Sequence, residues 1–383
     1  MGSGSWAAAA LTPTKSARTP TTQVFAEALR RPREIVGIYL SLSPISWRSV
    51  NRYKLAWWHG KIVRSRIDNH QRFNNHAITI HKFVLMPHVI PLTEVPQRHP
   101  KPEWLRVRAP GSDTYRRLKE LMRTLELHTV CEEAHCPNIG ECWDYGTATF
   151  MILGDVCTRA CGYCAVGHGR PAPVDAAEPA RVGNAVERLG LSYVVITSVD
   201  RDDVPDGGAS IFAETIAAIR QRRPGTRIEV LIPDFRGDPG ALRTVLDARP
   251  DVLNHNTETV PRLYRRARSG GRYERTLELL DRARSYAPHI PTKSGLMVGL
   301  GEEREELRTT LTDLRGVGCS ILTIGQYLQP TREHLPIARY YHPDEFRELK
   351  AYALEIGFSH VESGPLVRSS YHAREQADEA LGT

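Results

Sequence analysis

Short apolar runs separated by amphipathic stretches organise the chain from about residue 150 onward. Phe150 to Gly154, Tyr193 to Thr197, Ile228 to Ile232, Val252 to Asn256, Gly295 to Leu300 and Ser320 to Ile324 each read as a buried strand. A strand covered on both faces shows a continuous apolar run rather than alternation. Helical patterns lie between them. Asp238-Pro239 is an N-cap followed by proline at the first helical position, ahead of Leu242, Val245 and Leu246. Leu307, Leu311 and Leu314 form an apolar stripe at helical spacing, and Gly207-Gly208 opens the helix after the second strand. Strands alternating with helices predict an α/β fold of parallel βα units. Six such units are fewer than a closed TIM barrel needs, so the expectation is a partial (β/α)6 barrel with its chemistry at the C-terminal ends of the strands.

The region before the barrel reads differently. Ser112 to Leu127 predicts a short helix, and the proline-spaced stretch from Pro87 to Arg108 an extended arm. Residues 1–85 show no sustained helical or strand period. The expected organisation is therefore an extension over 1–85, an arm over 86–146, a barrel over 147–340, and a C-terminal helix and segment over 341–383. Charge sharpens the first boundary. Residues 1–85 carry 13 Lys and Arg against 3 Asp and Glu, and the remainder 38 against 41. The net charge of +7 thus comes from the first segment, and nothing in the body argues for nucleic acid. An Arg- and Ser-rich, acid-poor segment fits a mitochondrial transit peptide, or a disordered or translated upstream region. Met86 begins a product that contains every motif below. There is no apolar run of eighteen residues to suggest a membrane helix.

Of the 7 cysteines, all but Cys319 fall between Cys131 and Cys164. Such clustering without a secretory signal reads as a metal site in a reducing compartment, the cytoplasm. Cys157, Cys161 and Cys164 form C-x3-C-x2-C directly after the first strand. Three thiolates on one tight loop can hold three irons of a 4Fe–4S cube and leave the fourth open. An open iron can chelate the amino and carboxylate groups of S-adenosylmethionine and deliver one electron to its sulfonium. Cys131, Cys136 and Cys142, the first triplet in chain order, form C-x4-C-x5-C, again one ligand short of a cube. Zinc is the alternative at both, completed at this first triplet by His128 or His135. Cys319 precedes the sixth strand, away from the chemistry, and reads as a structural buried thiol.

The loop Cys157-Thr-Arg-Ala-Cys-Gly-Tyr-Cys164, with Tyr163 before the last cysteine, resembles the radical-SAM signature. The two triplets together resemble the lipoyl synthase family; biotin synthase lacks the first. The resemblance runs from about Glu94 to Ala373. It includes Glu132 to Trp143, Thr197 to Gly208, Glu229 to Phe235, Asn254-His-Asn-Thr-Glu-Thr259, Lys293 to Glu302, Gln326 to Thr331 and Gly364 to Ala373. Residues 1–85 lack a counterpart.

The resemblance implies a serine of Arg368-Ser-Ser-Tyr371 as the fourth ligand of the auxiliary cluster, Ser370 by motif matching, with Ser369 as the fallback. It also implies two 4Fe–4S clusters, S-adenosylmethionine as cosubstrate, and sulfur insertion at C6 and C8 of a protein-bound octanoyl-lysine at the expense of the auxiliary cluster. Implied partners are octanoylated carriers (2-oxoacid dehydrogenase E2 subunits, the glycine cleavage H protein), an electron donor such as ferredoxin or flavodoxin, and an iron–sulfur carrier. Tyr163, Thr197, Ser198 and Asp200 are candidates near the cosubstrate, the last three as acceptors for its amine. Asn254, Asn256 and Glu258 are candidates for its ribose hydroxyls, with ordinary loop capping the alternative. Two rival readings are another auxiliary-cluster radical-SAM enzyme, against which the Arg-Ser-Ser-Tyr motif argues, and a two-cluster electron carrier, which would supply four cysteines per cluster.

Overall fold

The computed structural model describes residues 53–58, 61–66, 100–107, 110–134, 136–145 and 147–382. The chain divides into two units, Met1–Val89 and Ile90–Thr383. In the first unit Tyr53–Trp58 pairs antiparallel with Lys61–Arg66. This differs from the absence of strand period expected over 1–85. Aromatic and β-branched residues favour strands, but two six-residue runs are too short to establish a period. The other expectations for 1–85 lie outside the described residues.

The second unit is built on an eight-stranded sheet. Its strands are β1 (His128–Thr129), β2 (Ala148–Ile152), β3 (Tyr193–Ser198), β4 (Arg227–Leu231), β5 (Val252–Asn254), β6 (Thr292–Val298), β7 (Ile321–Gln326) and β8 (His360–Gly364). They lie in sequence order, parallel from β2 to β8, with β1 antiparallel on the β2 edge. No pairing joins β8 to β1, so the barrel is open. All six expected strands are present. β2 stops at Ile152 because Leu153 and Gly154 take positive φ values of 69° and 88°, turning the chain out of the sheet.

Helices cover the outer face: α4 (Glu178–Leu189), α5 (Ala209–Arg222), α6 (Pro239–Asp247), α7 (Pro261–Ala267), α8 (Tyr273–Tyr286), α9 (Arg304–Gly316) and α10 (Pro343–Glu355). Val194, Ile196, Ile228, Val230, Leu322 and Ile324 share one core with the helices. The alternate residues Tyr193, Val195, Val252 and Ile321 form a separate inner cluster with Ala373 and Ala377 of α11 (Ala373–Leu381). The last helix therefore packs on the inner face, near the first residues of β3 and β7. Arg374 Nη1 bonds Ser192 Oγ there at 3.2 Å, and Arg227 pairs with Asp378.

Further inside, Lys293 Nζ lies 2.9 Å from Glu229 Oε1, with both side chains fully buried. Tyr193 Oη and Asn254 Nδ2 also donate to Glu229. These two added hydrogen bonds offset part of the cost of burying the ion pair.

The arm carries α1 (Asp113–Thr124), α2 (Val130–Glu133) and α3 (Ile139–Asp144). Ser112 caps α1 by accepting from Tyr115 N at 3.0 Å. Leu118 and Met122 are buried, and the Tyr115 ring lies 5.1 Å from that of Trp143 on α3. Cys319 is fully buried just before β7. Among the described residues no helix is long and apolar enough to cross a membrane.

Candidate active site

The second cysteine triplet occupies the loop after β2, where parallel βα folds place their chemistry. Glu178 fixes its start, accepting from Leu153 N at 2.7 Å. Cys157 Sγ then accepts from Asp200 N at 3.3 Å and Arg159 N at 3.4 Å. Gly162 is stitched on both sides, donating to Ala267 O at 2.9 Å and accepting from Leu335 N at 2.8 Å. A Cβ at Gly162 would sit 3.0 Å from Leu335 Cγ and 3.2 Å from Arg266 O, so the close approach selects glycine. His334 Nε2 lies 2.8 Å from Cys164 O.

Arg159, between the first two of these cysteines, is buried among carboxylates. It makes two 2.7 Å bonds to Asp202 and one to Asp234, and lies 3.3 Å from Asp200. Arg275 reaches Asp234 at 2.8 Å. Burial opposes ionisation of Asp234, but the two guanidiniums outweigh it and hold its carboxyl well below the usual range. The loop is thus anchored by a buried charge network.

The first triplet spans α2 and α3. Thr129 caps α2 through Glu132 N at 3.3 Å, Cys136 N donates to Cys131 O at 2.9 Å, and Cys142 lies on α3. After burial, Cys136 and Cys142 raise the pKa of Cys131, and Cys136 raises that of Cys142, which brings the three thiols into one cluster. His128 Nδ1 is 3.6 Å from Glu133, and His135 lies outside the described residues. Among the described residues no three His, Cys, Asp or Glu groups are arranged around a single metal ion.

Burial is the leading cause of the raised thiol pKa values in both triplets: to about 12 for Cys142 and Cys161, to about 11 for Cys164, and upward for Cys131, Cys136 and Cys157. Because the thiolate is the metal ligand, a bound cation would have to displace these protons and offset the cost of burial.

The C-terminal segment after β8 reaches the first triplet. Asn138 Nδ2 donates to Leu366 O at 2.7 Å, and Tyr371 Oη to Glu141 Oε1 at 3.1 Å. The Arg368 guanidinium lies beside Cys136 and favours its thiolate, against the larger effect of burial. Two glycines let the segment sit this deep. A Cβ on Gly325 would overlap Val367 O at 2.0 Å, and one on Gly295 would come within 2.9 Å of Ser369 Oγ. Ser369 Oγ donates to Asn256 Oδ1 at 2.9 Å. Ser370 is half-buried, and its hydroxyl has no hydrogen bond among the described residues.

Around the second triplet, Asn256 Nδ2 donates to Glu258 Oε1 at 3.1 Å, and Glu258 also meets the Tyr163 hydroxyl. Glu258 has φ 72°, a strained value for a side-chain-bearing residue and a frequent mark of functional sites. Burial raises its pKa, with the Arg268 guanidinium opposing. Asp200 lies between Arg159 and Cys157. Ser198 Oγ is buried without a partner, a hydroxyl that fits a bound ligand. Thr197 is spent inside the sheet on Leu231 O at 3.0 Å, and Asn254 on Glu229 in the inner polar cluster. His334 carries no sequence signal, since it reaches Cys164 from 170 residues away; Arg159 lies inside the cysteine motif and could have been flagged there.

The family model described as the Radical SAM superfamily matches residues 151–314. The model for the N-terminal domain of lipoyl synthase of the Radical SAM family matches residues 91–136. The lipoyl synthase of Rubrobacter xylanophilus is 60% identical over 291 residues, covering 76% of this chain and 91% of that one. That of Koribacter versatilis is 58% identical over 295 residues, covering 77% and 97%. The X-ray structure of the FeFe-hydrogenase maturase HydG from Carboxydothermus hydrogenoformans has a TM-score of 0.47 at 18% identity, covering 61% of this chain and 56% of that one.

Proposed function

Because the chain belongs to the lipoyl synthase family of radical SAM enzymes, we propose that it inserts sulfur at C6 and C8 of an octanoyl group amide-linked to a lysine of a carrier domain, using two 4Fe–4S clusters. One observation supports this reading: a single C-terminal segment sits against the first cysteine triplet and is linked by a relay of hydrogen bonds to Tyr163 in the second cysteine loop. It meets the first through Asn138 and Arg368, and the relay to the second runs through Ser369, Asn256, Glu258 and Tyr163. A chemistry that carries sulfur from one cluster to a carbon activated at the other needs that proximity.

When bound, the cluster on Cys157, Cys161 and Cys164 supplies the electron that cleaves S-adenosylmethionine, and the one on Cys131, Cys136 and Cys142 supplies sulfur and is consumed. The chain's own part is positioning. Arg159 anchors the cysteine loop. Ser198 and Asp200 offer acceptors to the cosubstrate amine, and Asn256 and Glu258 to its ribose. Ser370 supplies the fourth ligand of the first triplet through its uncommitted hydroxyl, Ser369 being engaged elsewhere. Oxygen is a weaker partner than thiolate for soft iron, which suits a ligand that must leave.

The substrates are octanoylated E2 subunits or the H protein, with ferredoxin or flavodoxin as reductant and an iron–sulfur carrier to rebuild the consumed cluster. The free thiols suit the cytoplasm.

The test is anaerobic reconstitution with an octanoylated carrier domain, followed by separate counting of 5′-deoxyadenosine and sulfurated product. Cys157→Ala is expected to abolish both, whereas Cys131→Ala abolishes product and leaves some cleavage. Equal loss of cleavage in the two variants would sink the division of labour. Ser370→Ala is expected to impair sulfur insertion while cleavage persists; full activity there, with Ser369→Ala inactive, would move the ligand to Ser369.

A further inference from the structure

The two adjacent serines of the C-terminal motif are held differently, and the difference links the two halves of the site. Ser369, Asn256 and Gly295 converge from three separate segments. A Cβ on Gly295 would lie 2.5 Å from Asn256 Oδ1 and 2.9 Å from both Ser369 Oγ and Thr323 Oγ1, so the glycine leaves room for this contact. The hydrogen bonds fix its polarity. The edge of the Asn256 amide that faces Glu258 is the NH2, which donates to Oε1 at 3.1 Å. The opposite edge is the carbonyl oxygen, to which the Ser369 hydroxyl donates at 2.9 Å.

The pair is also fixed from behind. Arg268 donates to Asn256 O. Glu258 N donates to Gly295 O and Met297 N to Glu258 O, each at 2.9 Å. The free determinant of the amide's rotation is therefore Ser369, which rides on the segment held by Asn138 and Tyr371 against the first triplet.

We propose that Ser369 is a positioning residue that couples the two halves of the site: its hydroxyl orients the Asn256–Glu258 pair for the ribose of S-adenosylmethionine, so the nucleotide binds tightly only while the C-terminal segment is seated beside the first triplet. This rests on the reading of Asn256 and Glu258 as ribose partners. Linkage makes the effect reciprocal, so bound nucleotide stabilises the seated segment by the same factor. When sulfur transfer dismantles the first cluster and frees Ser370, the neighbouring Ser369 loosens with it. Nucleotide affinity then falls, which limits cleavage unaccompanied by sulfur insertion.

Equilibrium dialysis of labelled S-adenosylmethionine against the anaerobically reconstituted full-length protein reads affinity without turnover. Ser369→Ala is expected to raise Kd about tenfold, the scale of one lost hydrogen bond in a partly charged network. The Mössbauer signature of the oxygen-ligated iron should persist in that variant. Ser369→Thr keeps the hydroxyl and is expected to restore most of the affinity, which a general packing defect would not allow. An unchanged Kd in Ser369→Ala overturns the proposal, as does loss of the oxygen-ligated iron signature there, which would make Ser369 the ligand. Asn256→Ala separates the two readings. If it too binds normally, the ribose assignment is wrong; if it binds weakly while Ser369→Ala binds normally, only the coupling is wrong.

Discussion

Arg159 shows how much of the site depends on one side chain. With 4% of its side chain exposed, it faces Asp200, Asp202 and Asp234, of which Asp234 is 2% exposed. Removing the cation while leaving its carboxylates buried is costlier than the pair was stabilising, on the order of 3 kcal/mol for a buried partner. Arg159→Gln is therefore expected to lower stability by about that amount near neutral pH and to reduce the iron retained by the Cys157 loop. Denaturant unfolding and iron analysis of the same preparation check both. Arg159→Lys should recover only part, because a point charge cannot fork among several carboxylates. Iron content and stability equal to those of the unmodified protein in Arg159→Gln would show that the network does not anchor the loop. At this scale the sequence was legible where candidate residues are close together along the chain, as in both cysteine triplets. It was silent on the bond between Ser369 and Asn256, which spans 113 residues. Thr197 and Asn254 were named from their places at strand ends, yet their polar groups are turned to Leu231 and Glu229. Inward or upward direction at a strand end depends on sheet register, which a run of apolar residues does not specify.

The elements of the barrel were readable because strands covered on both faces are apolar almost throughout. β8 escaped notice for the complementary reason: in His360-Val-Glu-Ser-Gly364 only His360 and Val361 are buried. Its polar residues serve to tie it to α11, through His360 Nδ1 and Glu379 Oε2 at 2.5 Å, with Glu362 on the other side of the ring at 3.8 Å. Burial works against protonation of His360, but the two carboxylates outweigh it and raise its pKa above the ordinary value. A raised histidine pKa means that the folded state binds the proton more tightly than the unfolded chain does. The stabilisation is complete below the unfolded pKa of about 6.5 and disappears as pH rises through the higher folded value. The docking of α11 is thus expected to weaken from about pH 6.5 upward. Hydrogen exchange of the α11 amides across that window should show protection falling in the unmodified protein and a flatter profile in His360→Asn. Identical pH profiles in the two proteins would remove His360 as the cause.

Across the whole molecule, the first segment differs from the rest in charge and composition, and the structure treats them as separate units, Met1–Val89 and Ile90–Thr383. Every cysteine, both serines and the described partners of the site lie in the second unit. So do both contiguous sets of buried residues, the outer core beneath the helices and the inner cluster around Ala373 and Ala377. Stability of a domain of this size comes from such burial, and the active-site segments are held by contacts within the same unit. An isolated two-stranded hairpin such as Tyr53–Trp58 with Lys61–Arg66 is marginal at best in water, so it adds little stability of its own. A product beginning at Met86 is therefore expected to fold, to unfold at nearly the same denaturant concentration as the full chain, and to retain cleavage of S-adenosylmethionine and sulfur insertion at comparable rates. It should also lose the excess of 13 basic over 3 acidic residues that residues 1–85 contribute, and with it retention on a cation exchanger at neutral pH. The two readouts answer separate questions. A shorter product that binds no exchanger but unfolds early or fails to sulfurate its carrier would mean that the first unit supplies a contact on which the second depends.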